Sequence, residues 1–307
     1  MTEPARPRVS IGLPVYNGER YLQAALDSIL GQTFEDFELV IADNASTDAT
    51  ETICRTAAAS DQRIRYHRNE TNIGGHPNHN RVFDLSVGEY FRWAAYDDLL
   101  APDFLKHCVA VLDEDPDVVL CFSLFDTIDQ DGHVVGLSDP PPPVLKGDTP
   151  HERLREFWHW PSVHQVIYGL IRREALLRIP PMGIWYGADR ATLLDLALLG
   201  RFERVDLPLF LHREHQLRSQ YVDKKSYWSP AGSSGPTQFG YWRRLGYACR
   251  MVRRHSFPLR EQLAIIRVSV LYGIRRTPHW LPELIRELWA GVRYGLSRAI
   301  RSVARRA

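Results

Sequence analysis

Five short apolar runs punctuate the first 125 residues, at positions 9–13, 38–42, 64–67, 90–95 and 118–124. Each has the length of a buried strand. Between the first two, Leu22, Ala25, Leu26, Ile29 and Leu30 recur at the spacing of one helix face. Ser46 or Thr47 can cap a second helix running toward Ala59. Pro102 stands where a first helical turn tolerates it, and Leu105, Val109 and Leu112 share one face behind it. Strand and helix therefore alternate. This predicts an α/β fold with a Rossmann-like, mainly parallel central sheet and flanking helices.

The pattern changes near residue 139, where Asp139 precedes Pro140, Pro141, Pro142 and Pro143 in a stiff extended connector. The segment 151–180 predicts a helix and then a strand near 166–171. A helix over 187–200 and a strand over 205–211 follow. Residues 223–240, rich in Ser, Gly and Pro, read as a loop or linker. Beyond them the chain predicts a helical C-terminal appendage. Its apolar positions run at helical spacing over 263–274, and again from Leu284 through Leu288 and Val292 to Val303. The expected organisation is one domain over 1–222, a linker over 223–240 and a basic helical region over 241–307.

Charge sharpens that division. The net charge of +1 hides an uneven distribution: residues 240–307 hold fifteen Arg, three Glu and neither Lys nor Asp, so they carry +12 and residues 1–239 carry −11. A basic amphipathic helix can lie on an anionic membrane surface. Packing on the main domain is the equal alternative. The tail carries no nucleic-acid reading motif, so no nucleic acid is expected as partner. The cysteines, Cys54, Cys108, Cys121 and Cys249, lack zinc or disulfide spacing and suit a reducing compartment. Residues 1–8 are polar, and no uncharged apolar stretch is long enough to span a bilayer. The expectation is a cytoplasmic protein, peripheral at most at the inner face of the membrane.

The chemistry concentrates at strand ends. Asp97 and Asp98 close the run 90–95, and adjacent ionised carboxylates beside a buried strand need compensation. A hard cation such as Mg²⁺ or Mn²⁺, shared with a diphosphate, would supply it; alone, the pair reads equally as a solvated turn or a helix cap. The first strand leads into Pro14-Val15-Tyr16-Asn17-Gly18-Glu19, and the second into Asp43-Asn44-Ala45-Ser46. In a doubly wound sheet, ligands bind at the carboxyl ends of strands, so all three clusters would share one rim. Tyr16 can stack on a flat base and Asp43 can accept from a ring N–H. Neither GxxxxGK[ST] nor GxGxxG is present.

The run IGLPVYNGERYLQAALDSILGQTFEDFELVIADNASTDAT resembles the start of the family 2 glycosyltransferases, which have the GT-A fold. NIGGHPNHN, GEYFRWAAYDD and LLAPD continue the likeness, and GADRATLLDLALLGRFE and LHREHQLRS look like acceptor-side motifs. It covers roughly residues 8 to 220. The resemblance implies a nucleotide half over 8–125 and an acceptor half over 126–222. It implies an inverting enzyme that takes a nucleotide-diphosphate sugar, built on UDP or alternatively dTDP or GDP, to a glycan or lipid-linked acceptor in cell-envelope synthesis.

Residue by residue, the resemblance puts Pro14, Val15, Tyr16, Asn17 and Glu19 against the nucleotide and Asp43 against its base. Asn72, Gly74 and Asn80 match the loop beneath the nucleotide. Asp97 faces the ribose or sugar, and Asp98 takes the metal. Asp189 matches the general base. His215, with Arg213 and Ser219, matches a late motif that can complete the metal shell; His212 competes for that role. Trp158, Trp160, Trp185 and Tyr186 could stack on sugars or pack in the core. Two departures stand out: Ala95 replaces an acid common in the family, and Ala188 replaces the Glu of a Glu-Asp pair. They motivate the alternative of a catalytically silent binding protein. A nucleotidyltransferase is a further alternative, but its Gly-rich basic phosphate loop is missing from residues 8–22.

Overall fold

The computed structural model describes residues 6–137, 141–160, 164–184, 187–215, 249–250 and 252–276. Two fully buried runs form the middle of the parallel four-strand part of the sheet. Strand β1 (Val9–Val15) pairs in parallel with β2 (Phe37–Asp43), from Val9 opposite Phe37 to Val15 opposite Asp43, and every residue of both is buried. Strand β3 (Ile64–Arg68) adds in parallel outside β2, and β4 (Tyr90–Trp93) outside β1. The order β3-β2-β1-β4 puts the carboxyl ends of the four strands on one rim.

The chain leaves the sheet after Trp93, and two-residue β5 (Leu99–Leu100) follows Asp98 directly. The sheet continues through β6 (Val118–Ile128), β7 (Val134–Leu137), β8 (Leu170–Arg172) and β9 (Arg201–Arg213), with β8 linking antiparallel to β4 and β6. Long β9 runs parallel to β6 and pairs Leu211 with Leu99, antiparallel. That last pairing carries residues 212–215 to the acidic pair.

Helix α1 (Leu22–Leu30) buries Leu22, Ala25, Leu26 and Ile29, the face its spacing predicts. Helix α2 is Thr50–Ser60, α3 is Gly75–Leu85 and α4 is Phe104–Glu114. Helix α3 lies close to β1 because Gly12 has no side chain: a Cβ there would meet Val82 Cγ2 at 2.7 Å and Phe91 Cζ at 2.9 Å. Helix α5 (Pro150–His159) begins at a capping box, in which the Glu152 carboxylate accepts from the Thr149 N–H at 3.0 Å. Helices α6 (Arg173–Leu177) and α7 (Ala188–Leu199) complete the main unit.

Three expectations require correction. Helix α2 starts at Thr50, not at a Ser46 or Thr47 cap, because those residues bond to the neighbouring loop instead. Residues 164–168 form a 3₁₀ turn, which shortens the strand expected over 166–171 to Leu170–Arg172. Helix α4 starts at Phe104, two residues beyond Pro102.

The chain divides into two compact units, 1–238 and 239–307. In the second, α8 (Leu259–Arg276) buries Ile265 and Ser269 and exposes Leu259, Leu263 and Leu271. The linker over 223–240 and the stripe from Leu284 to Val303 lie outside the described residues. Among the described residues no helix is long and apolar enough to cross a membrane.

Candidate functional site

The loop after β1 is stitched to the loop after β2. Asn17 adopts a left-handed φ of 51°. Its backbone N–H donates to Ser46 Oγ at 3.0 Å, and its Oδ1 accepts from the Thr47 N–H at 2.9 Å. The Gly18 N–H donates to Thr50 Oγ1 at 2.8 Å, and the Glu19 carboxylate accepts from the Ala49 N–H at 2.9 Å. One side-chain oxygen of Asn17 and one of Glu19 are thus engaged in holding the rim together. Pro14 and Val15 are buried in β1, and the Val15 carbonyl accepts from the Asn44 N–H at 2.8 Å. Tyr16 is 41% exposed, an uncovered aromatic at the rim.

Asp43 ends β2 with no solvent exposure. Its Oδ1 accepts from the Ser46 N–H at 2.8 Å, and its Oδ2 accepts from Tyr66 Oη at 2.8 Å and Arg68 Nη1 at 2.6 Å. Burial alone would push this carboxyl up; the hydrogen bonds from Ser46, Tyr66 and Arg68 outweigh it and hold the group below the usual carboxylate range. The adjacent Asn44 joins a buried amide network. It donates to Asn72 Oδ1 at 2.8 Å and accepts from Asn69 Nδ2 and the Ile73 N–H, both at 2.9 Å. Gly74, at φ +92°, then turns the chain into α3.

The acidic pair approaches the same rim. Tyr96 packs on Gly18 so tightly that a Cβ there would lie 2.9 Å from Tyr96 Cδ2. Asp97 and Asp98 are 8% and 6% exposed, a burial that demands partners. Asp98 Oδ1 accepts from the Arg213 N–H at 2.8 Å and lies 3.2 Å from His212 Nδ1. Arg213 Nε donates to the Asp97 carbonyl at 2.8 Å. Asp97 Oδ2 stands 2.9 Å from His215 Nε2, and the His215 ring packs on Tyr21 at 4.7 Å between centroids. His215 Nδ1 is buried with no hydrogen-bond partner in the described structure. Arg92 is a nearby buried cation whose pKa burial pulls down to about 10, with the charge of Asp98 among those opposing the fall.

Asp189 lies in the first turn of α7, after Gly187 at φ +85°. Its charge reaches two histidines of α3. Burial drives His76 down to about 3, helped by His79, while Asp189 and a hydrogen bond to the Gly183 backbone oppose the fall. His79 is also lowered by burial, again against Asp189. Asn80 does not turn toward the amides of the 72–74 loop; it exchanges two hydrogen bonds with the Met182 backbone, each 2.9 Å. Trp158 and Trp160 are buried among Phe157, Phe122 and Phe202. Trp185, Tyr186 and Ser219 lie outside the described residues.

The structure brings the strand-end segments 14–19, 43–46, 72–74 and 97–98 close together, and several polar groups that tie them are ones the sequence reading did not assign. Asn44, Asn69, Tyr66 and Arg68 occupy ordinary turn and strand positions. His76 and His79 were visible only as a His-x-x-His spacing on a predicted loop.

The profile described as Glycosyl transferase family 2 matches residues 10–178. An uncharacterised glycosyltransferase of Rickettsia typhi is 32% identical over 221 residues, 72% of this chain and 66% of that protein. The chain thus spans just under two thirds of that relative's length. One from Nostoc sp. is 26% identical over 261 residues, 80% of this chain and 78% of that protein. Among solved structures, S. aureus TarS 1–349 in complex with UDP-GlcNAc matches with a TM-score of 0.61 at 17% identity, over 88% of this chain and 73% of that one. The mannosyltransferase PcManGT from Pyrobaculum calidifontis, in complex with GDP-Man and Mn²⁺, matches with a TM-score of 0.52 at 19% identity, over 97% of this chain and 81% of that one. The likeness in structure is one of fold, the GT-A arrangement of sheet and helices. The match in sequence runs through the three strand-end clusters and over more than half of the chain, which belongs to glycosyl transferase family 2.

Proposed function

We propose that this chain transfers a sugar from a nucleotide-diphosphate sugar to an acceptor hydroxyl, with inversion at the anomeric carbon. The observation that carries the reading is the convergence of the β1–α1 loop, the Asp43 network and the buried pair Asp97 and Asp98 on one rim. Tyr16 is the exposed face on which the base stacks. Asp43 orders the rim, and the base meets the partly exposed guanidinium of Arg68 before it reaches that carboxylate. UDP, dTDP or GDP would fit such a surface.

The acid-histidine cluster suits a divalent cation, Mg²⁺ or Mn²⁺. If His215 donates Nε2–H to Asp97, its buried Nδ1 keeps a lone pair, the carboxylate-oriented imidazole common at metal centres. Among the described residues no three acidic, His or Cys side chains gather as a ready cage. Mg²⁺ is often held by one or two carboxylates together with substrate phosphates, so Asp98 with His215 is a sufficient protein contribution. Such an ion would neutralise charge on the departing diphosphate.

Asp189 acts as general base. It takes the proton of the acceptor hydroxyl while that oxygen bonds to the anomeric carbon; the bond to the diphosphate breaks on the opposite face, and its electron pair leaves with the phosphate oxygen. One displacement inverts the centre. The acceptor class is a glycan or lipid-linked glycan, and the basic unit 239–307 favours work beside an anionic membrane surface.

The test is nucleoside diphosphate release from UDP-glucose, UDP-galactose, UDP-N-acetylglucosamine, dTDP-rhamnose and GDP-mannose, with Mn²⁺ and no acceptor. Slow release from at least one donor, lost in Asp98→Ala, is expected. A folded chain that binds nucleotide yet turns over none of the panel would be the silent binding protein.

A further inference from the structure

We infer that Tyr21 is a positioning residue for the acid-histidine cluster: its ring is the platform that fixes the plane of the His215 imidazole beside Asp97. The inference rests on the cation site proposed for Asp98 and His215. Tyr21 is the residue from which α1 starts, and it is 7% exposed. The turn before it fixes its backbone: the Tyr21 N–H donates to the Gly18 carbonyl, and the Tyr21 carbonyl accepts from the Ala25 N–H, each at 3.1 Å. The ring thus stands on the β1–α1 loop, whose Asn17 and Gly18 are stitched to the residues after β2.

Two residues where β9 ends rest against that ring. The His215 ring lies 4.7 Å away between centroids, inclined by 45°. The Arg213 guanidinium carbon lies 4.9 Å from the ring centroid, within cation–π range. Both residues touch the acidic pair, Arg213 through its N–H on Asp98 and its Nε on the Asp97 carbonyl, and His215 through Nε2, 2.9 Å from Asp97 Oδ2. Arg213 has further supports, since its Nη1 donates to the carbonyls of Asp129 and Gln130 at 3.0 and 3.2 Å. The His215 ring has one hydrogen bond, and its Nδ1 finds no partner among the described residues. One hydrogen bond fixes a point, about which an imidazole can still swing. Contact with the Tyr21 ring fixes the plane, and with it the direction in which Nδ1 presents its lone pair.

The ring, not the hydroxyl, does the holding: Tyr21 Oη is buried and is also without a hydrogen-bond partner among the described residues. The Arg20 guanidinium carbon lies 5.1 Å from the same centroid, and an aliphatic side chain would offer neither guanidinium a π-face. Loss of a group that orients a metal-binding imidazole typically costs about 10–100-fold in affinity. The experiment measures Mn²⁺ affinity of the full chain saturated with UDP or GDP, from the electron paramagnetic resonance signal of free Mn²⁺ against a protein-free nucleotide blank. Nucleotide Kd in EDTA, by calorimetry, is measured in parallel. Tyr21→Leu should weaken Mn²⁺ binding at least tenfold while the metal-free nucleotide Kd stays within twofold; Tyr21→Met stands in if Tyr21→Leu fails to fold. Tyr21→Phe should keep Mn²⁺ affinity within twofold of wild type. Added to His215→Ala, Tyr21→Leu should cause no further loss.

The failures are separable. If Asp98→Ala and His215→Ala both keep wild-type Mn²⁺ affinity, the cation reading falls and takes the platform with it. If Asp98→Ala loses the ion while His215→Ala or Tyr21→Leu keeps it, the platform falls and the cation at Asp98 stands. If Tyr21→Phe loses as much as Tyr21→Leu, the hydroxyl is the working group and the platform is overturned. If Tyr21→Leu weakens metal-free nucleotide binding in parallel, Tyr21 only holds the loop together, and the platform is again overturned.

Discussion

Asn44 is the node through which the rim can be tested most sharply. It is 2% exposed and its side chain makes four hydrogen bonds: to Asn72 Oδ1 at 2.8 Å, to the Gly74 carbonyl at 3.3 Å, and from Asn69 Nδ2 and the Ile73 N–H at 2.9 Å each. Truncation to Ala does not strand these partners equally. Asn72 Oδ1 keeps the Gly74 N–H, Asn69 Nδ2 keeps Asn78 Oδ1, and the Gly74 carbonyl keeps the Asn78 N–H. The Ile73 N–H loses its described partner. A stranded donor costs about 1–3 kcal/mol and each weakened bond about 0.5–1.5 kcal/mol, and because Ile73 is only half-buried the total should settle near 2 kcal/mol.

Asn44→Asp is nearly isosteric and should do worse at pH 7. It turns a donor into a charged acceptor facing two acceptors, beside Asp43. The introduced carboxyl is favoured neutral in the folded chain, so its penalty grows as pH rises above about 4 and shrinks as pH falls. Urea unfolding followed by Trp fluorescence at pH 7 and pH 5 measures both variants. A loss below about 0.5 kcal/mol for Asn44→Ala, the size of an ordinary surface change, or a milder effect for Asn44→Asp at pH 7, would refute the account of the network.

Four other outcomes are expected. Asp189→Asn should leave UDP or GDP binding within about twofold and cut turnover by about 10² or more, read in the donor-release assay; unchanged turnover removes the base. Chelation with EDTA should weaken nucleotide affinity in wild type and have no effect in Asp98→Ala; metal-free binding of equal strength would take the ion away from Asp98. Asp43, held below the usual carboxylate range, contributes stability that is present above its unfolded value of about 3.9 and is lost as pH falls through the folded one. Asp43→Asn should therefore flatten the acid side of the urea-midpoint curve, and an unchanged acid limb would deny Asp43 that role. The full chain should pellet with anionic liposomes and be released by 0.5 M salt, and equal pelleting with zwitterionic vesicles would rule out the charge-driven contact.

The alternation of apolar runs and helical faces was enough to predict β1 to β4, α1, α4 and α7 close to their observed bounds, because strand and helix periods are local properties that a single segment expresses. The order of polar clusters at strand ends was legible for the same reason: a parallel sheet sends every carboxyl end to one rim, wherever the partners lie in sequence. The tertiary structure alone decided which polar atom meets which. Asn80 bonds to Met182, His215 to Asp97, and Asn17 to Ser46 across loops whose closure no local period encodes. Such pairings depend on the register of β9 against β5 and on how closely α3 settles onto Gly12. Burial then leaves groups such as Asn44 and Asp97 little choice but the partner they find, since an unpaired polar group away from water is the costlier state.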